Sequence, residues 1–166
     1  MAFNIERAVK ESNTIEGVAN EGAGLEDHMA AARYMLDCVE KEQLINPRAC
    51  HTILMINMEL PPPEKAGEYR QCAVTVGDHN PPAPFMVSSL MSNWELEYKP
   101  DTKRTPWFMH AWFEDIHPFV DGNGRVGRLL WWNLSLIKEL EPEMILAEDK
   151  YDYYKRLDQW RERSTR

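Results

Sequence analysis

The residues able to do chemistry are concentrated in His117-Pro118-Phe119-Val120-Asp121-Gly122-Asn123-Gly124-Arg125-Val126-Gly127-Arg128. A His and an Asp precede a Gly-Asn-Gly turn, and two Arg follow on the opening turns of a helix. Glycines let successive backbone N–H groups converge on one concavity, and a helix N-terminus adds partial positive charge there. Arg125 and Arg128 are spaced i, i+3, so both guanidinium groups reach one side of that helix, where they can grip phosphate oxygens bidentately. Asp121 beside a polyphosphate suits Mg²⁺, which takes few carboxylates and completes its shell with phosphate oxygens and water. His117 is the group whose ordinary pKa allows a neutral base near pH 7. Singly, each has an ordinary structural reading: a helix-ending His, a turn, solvated arginines. Their joint occurrence in this order favours a phosphate cradle with a metal ligand and a base.

Competing patterns fit less well. Gly122-Asn123-Gly124-Arg125-Val126-Gly127 matches the Gly-x-Gly-x-x-Gly dinucleotide fingerprint, and Glu148 lies about 20 residues on. The preceding segment, however, reads as a helix rather than a strand. A kinase glycine-rich loop lacks the His-Arg-Asp and Asp-Phe-Gly that should follow. Glu114-Asp115-Ile116-His117 matches the Glu-x-x-His of di-iron bundles, but that site needs a second copy. There is no Walker A sequence.

The elements that must position the motif follow from composition and period. The chain has 166 residues, enough for one domain with a real core. Apolar residues at 43%, with six Trp, exclude a disordered chain. Basic residues number 19 against 27 acidic ones, a net charge of −8, which argues against a nucleic-acid partner. Cys38, Cys50 and Cys72 form no Cys-x-x-Cys pair, so a reducing, cytoplasmic location is expected. The first residues lack a signal peptide's order, and no apolar run approaches the ~20 residues of a membrane span, so no membrane partner is expected.

Spacing predicts a helix over residues 3–16 stopped near Gly17, and a loop over 20–24. A helix over 25–44 should bury Met29, Ala32, Leu36 and Val39. Asn46-Pro47 should cap and open a helix running to about Glu59. Tyr69–Val76 is β-branched and lies between Gly67 and Gly77, which predicts a short hairpin. Residues 81–84 read as a proline loop. Three helices follow: one carrying Val87, Leu90, Met91, Trp94 and Tyr98; one opened by Thr105-Pro106, with Phe108, Ala111, Trp112 and Ile116 on one side; and one over 124–140. A last helix spans about 147–161. The expected class is mostly α, a compact helical bundle with a short β-hairpin.

His117–Arg128 resembles the signature of Fic domains, His-x-Phe-x-Asp/Glu-Gly-Asn-Gly-Arg-x-x-Arg, with every fixed position present. Gly67-Glu68-Tyr69-Arg70, the proline loop, Leu129-Leu130 and Tyr153-Tyr154 look similar to that family too, so the resemblance covers roughly residues 25–160. It implies a mostly helical domain with a β-hairpin flap, and AMP transfer from ATP to a Ser, Thr or Tyr hydroxyl of a target protein, or of the chain itself. It makes His117 the general base and Asp121 the Mg²⁺ ligand. Gly122, Asn123 and Gly124 become the anion hole, and Arg125 and Arg128 hold the β- and γ-phosphates. Phe119 becomes a packing anchor. The flap would be Tyr69, Arg70, Gln71, Cys72, Ala73, Val74, Thr75 and Val76, docking a target segment by its free edge.

Ser12-Asn13-Thr14-Ile15-Glu16-Gly17 resembles the same family's inhibitory helix signature, in which the glutamate pairs with the motif's second arginine, here Arg128. The implied organisation is an inhibitory helix and loop over residues 1–24 and a Fic core over 25–166. Two further readings stay open: removal of AMP from targets by the same site, and a nucleotide-binding regulatory module with negligible turnover. Homo-oligomerisation stays open as well.

Overall fold

The computed structural model describes residues 3–164; the ends of the two expected segments, 1–2 and 165–166, lie outside the described residues. Among the described residues seven α-helices carry the architecture: α1 (Ile5–Ile15), α2 (Gly22–Glu40), α3 (Pro47–Leu54), α4 (Pro84–Glu97), α5 (Pro106–Ile116), α6 (Asn123–Ile137) and α7 (Lys150–Ser164). A 3₁₀ turn, Ala147–Asp149, leads into α7. Helix α6 is the hub, packing against α1, α2, α3 and α5. Its residues from Val126 to Ser135 are all buried, which is why its apolar positions run round the helix rather than along one stripe. A second, smaller cluster joins Ile15, Ala111, Trp131, Tyr153 and Leu157 beneath the end of α1.

Local chemistry explains the helix ends. Asn4, Asn46 and Thr105 accept hydrogen bonds from the backbone N–H groups of Arg7, Ala49 and Phe108. Helix α1 stops at a left-handed Gly17, with Gly17 N–H on Thr14 O and Val18 N–H on Asn13 O. Several expectations shift, and α3 ends at Leu54 rather than near Glu59. Gly22–Gly24 form the first turn of α2 instead of a loop, and Gly24 is needed there: a Cβ would lie 2.9 Å from Val18. The buried stripe of α2 is Asp27, His28, Ala31, Ala32, Met35 and Cys38, while Leu36 and Met29 are only half-buried. Apolar counting passed over His28, which is buried because its Nδ1 reaches Asn13 Oδ1 at 2.7 Å.

The expected hairpin is not formed. Among the described residues there is no β-strand, so no β-hairpin flap exists, and Tyr69–Val76 offers no strand edge for a target. Only Val76 and His79 pair, exchanging both backbone bonds at 2.9 Å. Three facts stop the ladder. Continuing the register would set Pro82 and Pro81 opposite Ala73 and Val74, and proline has no N–H to give. Arg70 N–H is already committed to Pro118 O at 2.9 Å. Gln71 N–H is committed to the Glu64 carboxylate at 2.9 Å.

Candidate active site

The motif spans the junction of α5 and α6. His117 ends α5 in the left-handed conformation, φ 50°, a rare and costly state for a residue with a Cβ. The chain is held there by Arg70. Its guanidinium is 2% exposed and donates to the carbonyls of His117 (2.8 Å), Cys72 (3.0 Å), Pro82 (2.6 Å) and Ile116 (3.4 Å). Arg70 is therefore an internal clamp rather than a docking residue.

The next turn is stapled by Asn123. Its Nδ2 donates to Phe119 O at 2.8 Å, and its Oδ1 accepts from Phe119 N–H at 2.9 Å. The Asn123 side chain thus serves the loop's own backbone, while Phe119 packs wholly in the core. Gly122 is left-handed, φ 77°. The first-turn N–H groups of residues 123–125 precede the first intrahelical bond, Val126 N–H to Gly122 O, and so have no intrahelical partner, an arrangement that can receive an anion.

Both motif arginines are buried. Arg125 has Nη2 3.7 Å from Met55 Sδ and 3.8 Å from Asp121 Oδ1. Arg128, 1% exposed, is held from α1. Its Nε donates to Ser12 Oγ at 2.7 Å, and its Nη2 to Ser12 O at 3.1 Å and Glu16 Oε1 at 2.7 Å. Burial is the largest single influence and pulls the Arg128 pKa down, but Glu16, Tyr153 and Glu114 together outweigh it and keep the guanidinium charged. Its Nη1 is buried without a hydrogen-bond partner. Gly124 is where Glu16 fits: any Cβ there would overlap the Glu16 carboxylate.

The end of α1 is itself fixed. Asn13 donates to Gly24 O at 3.2 Å and accepts from His28, and the Glu11 carboxylate accepts from Ala147 N–H at 2.8 Å. Ala8, Val9 and Ile15 are buried.

His117, Glu16, Glu114, Gly124 and Tyr154 share the lining of a cleft of about 620 Å³. Asp121, Arg125 and Arg128 do not line it; Glu16 lies between the cleft and Arg128. Burial, then Arg70, lowers the His117 pKa to about 4, so the ring is neutral at pH 7. Its buried Nδ1 lies 4.0 Å from Glu114 Oε2. Burial raises Glu114 to about 8, against the pull of Arg128, so this carboxyl is protonated at pH 7.

Asp121 has the side chain of the motif that is open to solvent, 60% exposed, with Oδ1 accepting from Gly122 N–H at 2.5 Å. Among the described residues no group of three or more His, Cys, Asp or Glu side chains could hold a metal ion unaided. One open carboxylate next to an anion-binding turn fits Mg²⁺ delivered with a polyphosphate, and does not fit a permanently bound ion.

Sequence reasoning missed His51, and met Glu114 only in the Glu-x-x-His match that it set aside. Glu114 was readable as the residue one helical turn before His117 on the same face. His51 reaches Asp121 across 70 positions, a link no local pattern shows.

The Fic/DOC family profile matches residues 46–134, and the chain belongs to that family. It is 38% identical over 103 residues to a protein adenylyltransferase Fic of Nematostella vectensis, and 37% over 98 residues to that of Culex quinquefasciatus. Those matches cover 58% and 55% of this chain, but only 24% and 20% of the relatives, so the chain spans about a quarter or less of their length. Among solved structures, a Fic domain containing signaling protein from Bacteroides thetaiotaomicron superposes with a TM-score of 0.70 at 21% identity, over 93% of this chain and 70% of the other. Fic-1 from C. elegans gives 0.74 at 20%, over 92% and 54%. At these identities the structures establish the helical fold.

Proposed function

We propose that the chain is an Mg²⁺- and ATP-dependent protein adenylyltransferase, held off by its N-terminal residues 1–24. The observation that carries this reading is the buried Arg128 guanidinium, taken by Glu16 and Ser12 beside a complete motif. In this reading Arg128 and Arg125 receive the phosphates, the turn at residues 122–124 receives an α-phosphate oxygen, and Asp121 holds the metal. Mg²⁺, when bound, neutralises phosphate charge.

His117 acts as general base. Its Nδ1 faces Glu114, which leaves Nε2 for the cleft. Nε2 takes the proton of a target Ser, Thr or Tyr hydroxyl as that oxygen bonds to the α-phosphorus. The bond from the α-phosphorus to the bridging oxygen breaks, and pyrophosphate leaves with the electron pair. Such transfer needs chiefly positioning and charge neutralisation, which buried arginines on a rigid helix supply. Glu16 blocks it by occupying Arg128, so that bound ATP has its α-phosphorus turned from the line of attack.

A second reading has one specific support. Glu16 and His117 line the same cleft, so the carboxylate can position a water for removal of AMP from a modified target. The test uses ATP labelled at the α- or γ-phosphorus with the Glu16→Gly protein. Label entering protein from the α position alone, and lost in His117→Ala with ATP binding retained, supports adenylyl transfer. Label from the γ position, or transfer unchanged in His117→Ala, refutes it. Loss of AMP from pre-modified protein with wild type but not Glu16→Gly supports the second reading.

A further inference from the structure

His51 lies on α3, outside the motif and outside the α1 contact, yet it joins three segments of the site. Its Nδ1 accepts a hydrogen bond from Gly67 N–H at 2.7 Å. That bond puts the ring proton on Nε2, which donates to the carbonyl of Asp121 at 3.1 Å. The ring stacks face to face on Phe119, with centroids 3.8 Å apart and planes 3° from parallel.

Glycines on both sides make this approach available. Gly67 is left-handed, φ 79°, and a Cβ there would overlap Thr52 Oγ1, so a side chain would displace the very N–H that His51 receives. Gly122 is left-handed too, and a Cβ on it would lie 3.0 Å from Met55 Sδ and 3.5 Å from His51 Cδ2. The chain just after Asp121 is therefore seated directly on the end of α3. The Asp121 carboxylate itself is open to solvent, and its nearest guanidinium is 3.8 Å away. Its short contact is with the neighbouring Gly122 N–H, so the backbone that carries it is what fixes it in space.

We propose that His51 is a positioning residue for Asp121: by holding the Asp121 carbonyl through Nε2–H, it aims the carboxylate at the phosphate-bound metal. This rests on the metal role given to Asp121 above. The rival is a purely structural His51, whose ring only fills space against Phe119. Partners that orient a metal ligand change metal affinity typically 10–100-fold when removed.

The two amide replacements separate the possibilities. Glutamine places an N–H donor where Nε2 stands, and asparagine places an acceptor where Nδ1 stands; both lose the ring. Mn²⁺ bound to the ATP-loaded protein is measured by electron paramagnetic resonance for wild type, His51→Gln, His51→Asn and Asp121→Ala, with metal-free ATP affinity and thermal midpoints alongside. The proposal expects His51→Asn to weaken Mn²⁺ binding at least tenfold and His51→Gln to stay within about threefold of wild type. Metal-free ATP affinity should be the same in all. Gln no better than Asn, or Asn equal to wild type, overturns it. If Asp121→Ala binds Mn²⁺ as wild type does, the metal role itself fails. If Asp121→Ala loses Mn²⁺ while His51→Asn keeps it, only the His51 proposal fails. Nitrogen NMR of the unmutated protein gives a second check that needs no variant: a His51 ring protonated at Nδ1 rather than Nε2 overturns the proposal.

Discussion

Glu114 ties the acid–base state of the site to the stability of the fold. Its carboxyl is buried among groups from four helices. Glu16 at the end of α1 raises its pKa, Arg128 on α6 and Arg161 on α7 lower it, and His110 on α5 and His117 at its end stand beside it. Burial dominates and raises the folded value from 4.5 to about 8. An acid with a raised folded pKa keeps its proton longer in the native state than in the unfolded chain. The folded protein therefore loses stability as pH rises from about 4.5, and the loss levels off above about 8. Each tenfold change in proton affinity is worth about 1.4 kcal/mol, so the full cost is on the order of 5 kcal/mol. Glu114→Gln keeps the shape and removes the titration. Urea unfolding of both proteins at pH 4, 6, 8 and 9 measures the effect. Whatever offset the substitution introduces, the variant should gain on wild type steadily across the range, by several kcal/mol in all. Parallel pH curves for the two proteins would refute a buried, protonated Glu114.

Three other outcomes follow from the same geometry. Arg70→Lys should destabilise the fold by roughly 2–5 kcal/mol, because an amine with three donors on one nitrogen cannot reach the four carbonyls that the guanidinium serves; unchanged thermal unfolding would contradict the clamp. His117, held low by burial and Arg70, should place the acid limb of kcat/KM for Glu16→Gly near pH 4, and a limb near 6.5 would show an unburied ring. Ser12→Ala removes one of the Arg128 partners, a bond of roughly 0.5–1.5 kcal/mol, so AMP transfer should rise about 2- to 12-fold; no rise would mean that Ser12 does not contribute to the lock.

Much of the scaffold was legible because its signals are local. Asn46, Thr105 and the prolines after them cap helices wherever they stand, and Gly17 ends α1 by its own backbone freedom. The Tyr69–Val76 segment was misread for a related reason: β-branched residues between two glycines are a local signal, but the answer depended on what lay opposite. Pro81 and Pro82 cannot pair, and Arg70 is drawn into the core by four carbonyls. The candidate site residues within the motif were readable from their order. Glu16 was readable only through resemblance, since 112 residues separate it from Arg128. His51 carries no signal until the fold brings α3 under the motif.

The central claim is that Glu16 silences the site by holding Arg128. The direct measurement is AMP incorporated from α-labelled ATP by wild type and Glu16→Gly at equal concentration, with Arg128→Ala beside them and the fold of each checked. Glu16→Gly removes the carboxylate at 2.7 Å and leaves the arginine in place, so incorporation should rise on the order of 10²-fold, the scale of correcting a small misalignment. Arg128→Ala should show no rise, since it removes lock and phosphate site together. Equal or lower incorporation by a folded Glu16→Gly protein would contradict the claim.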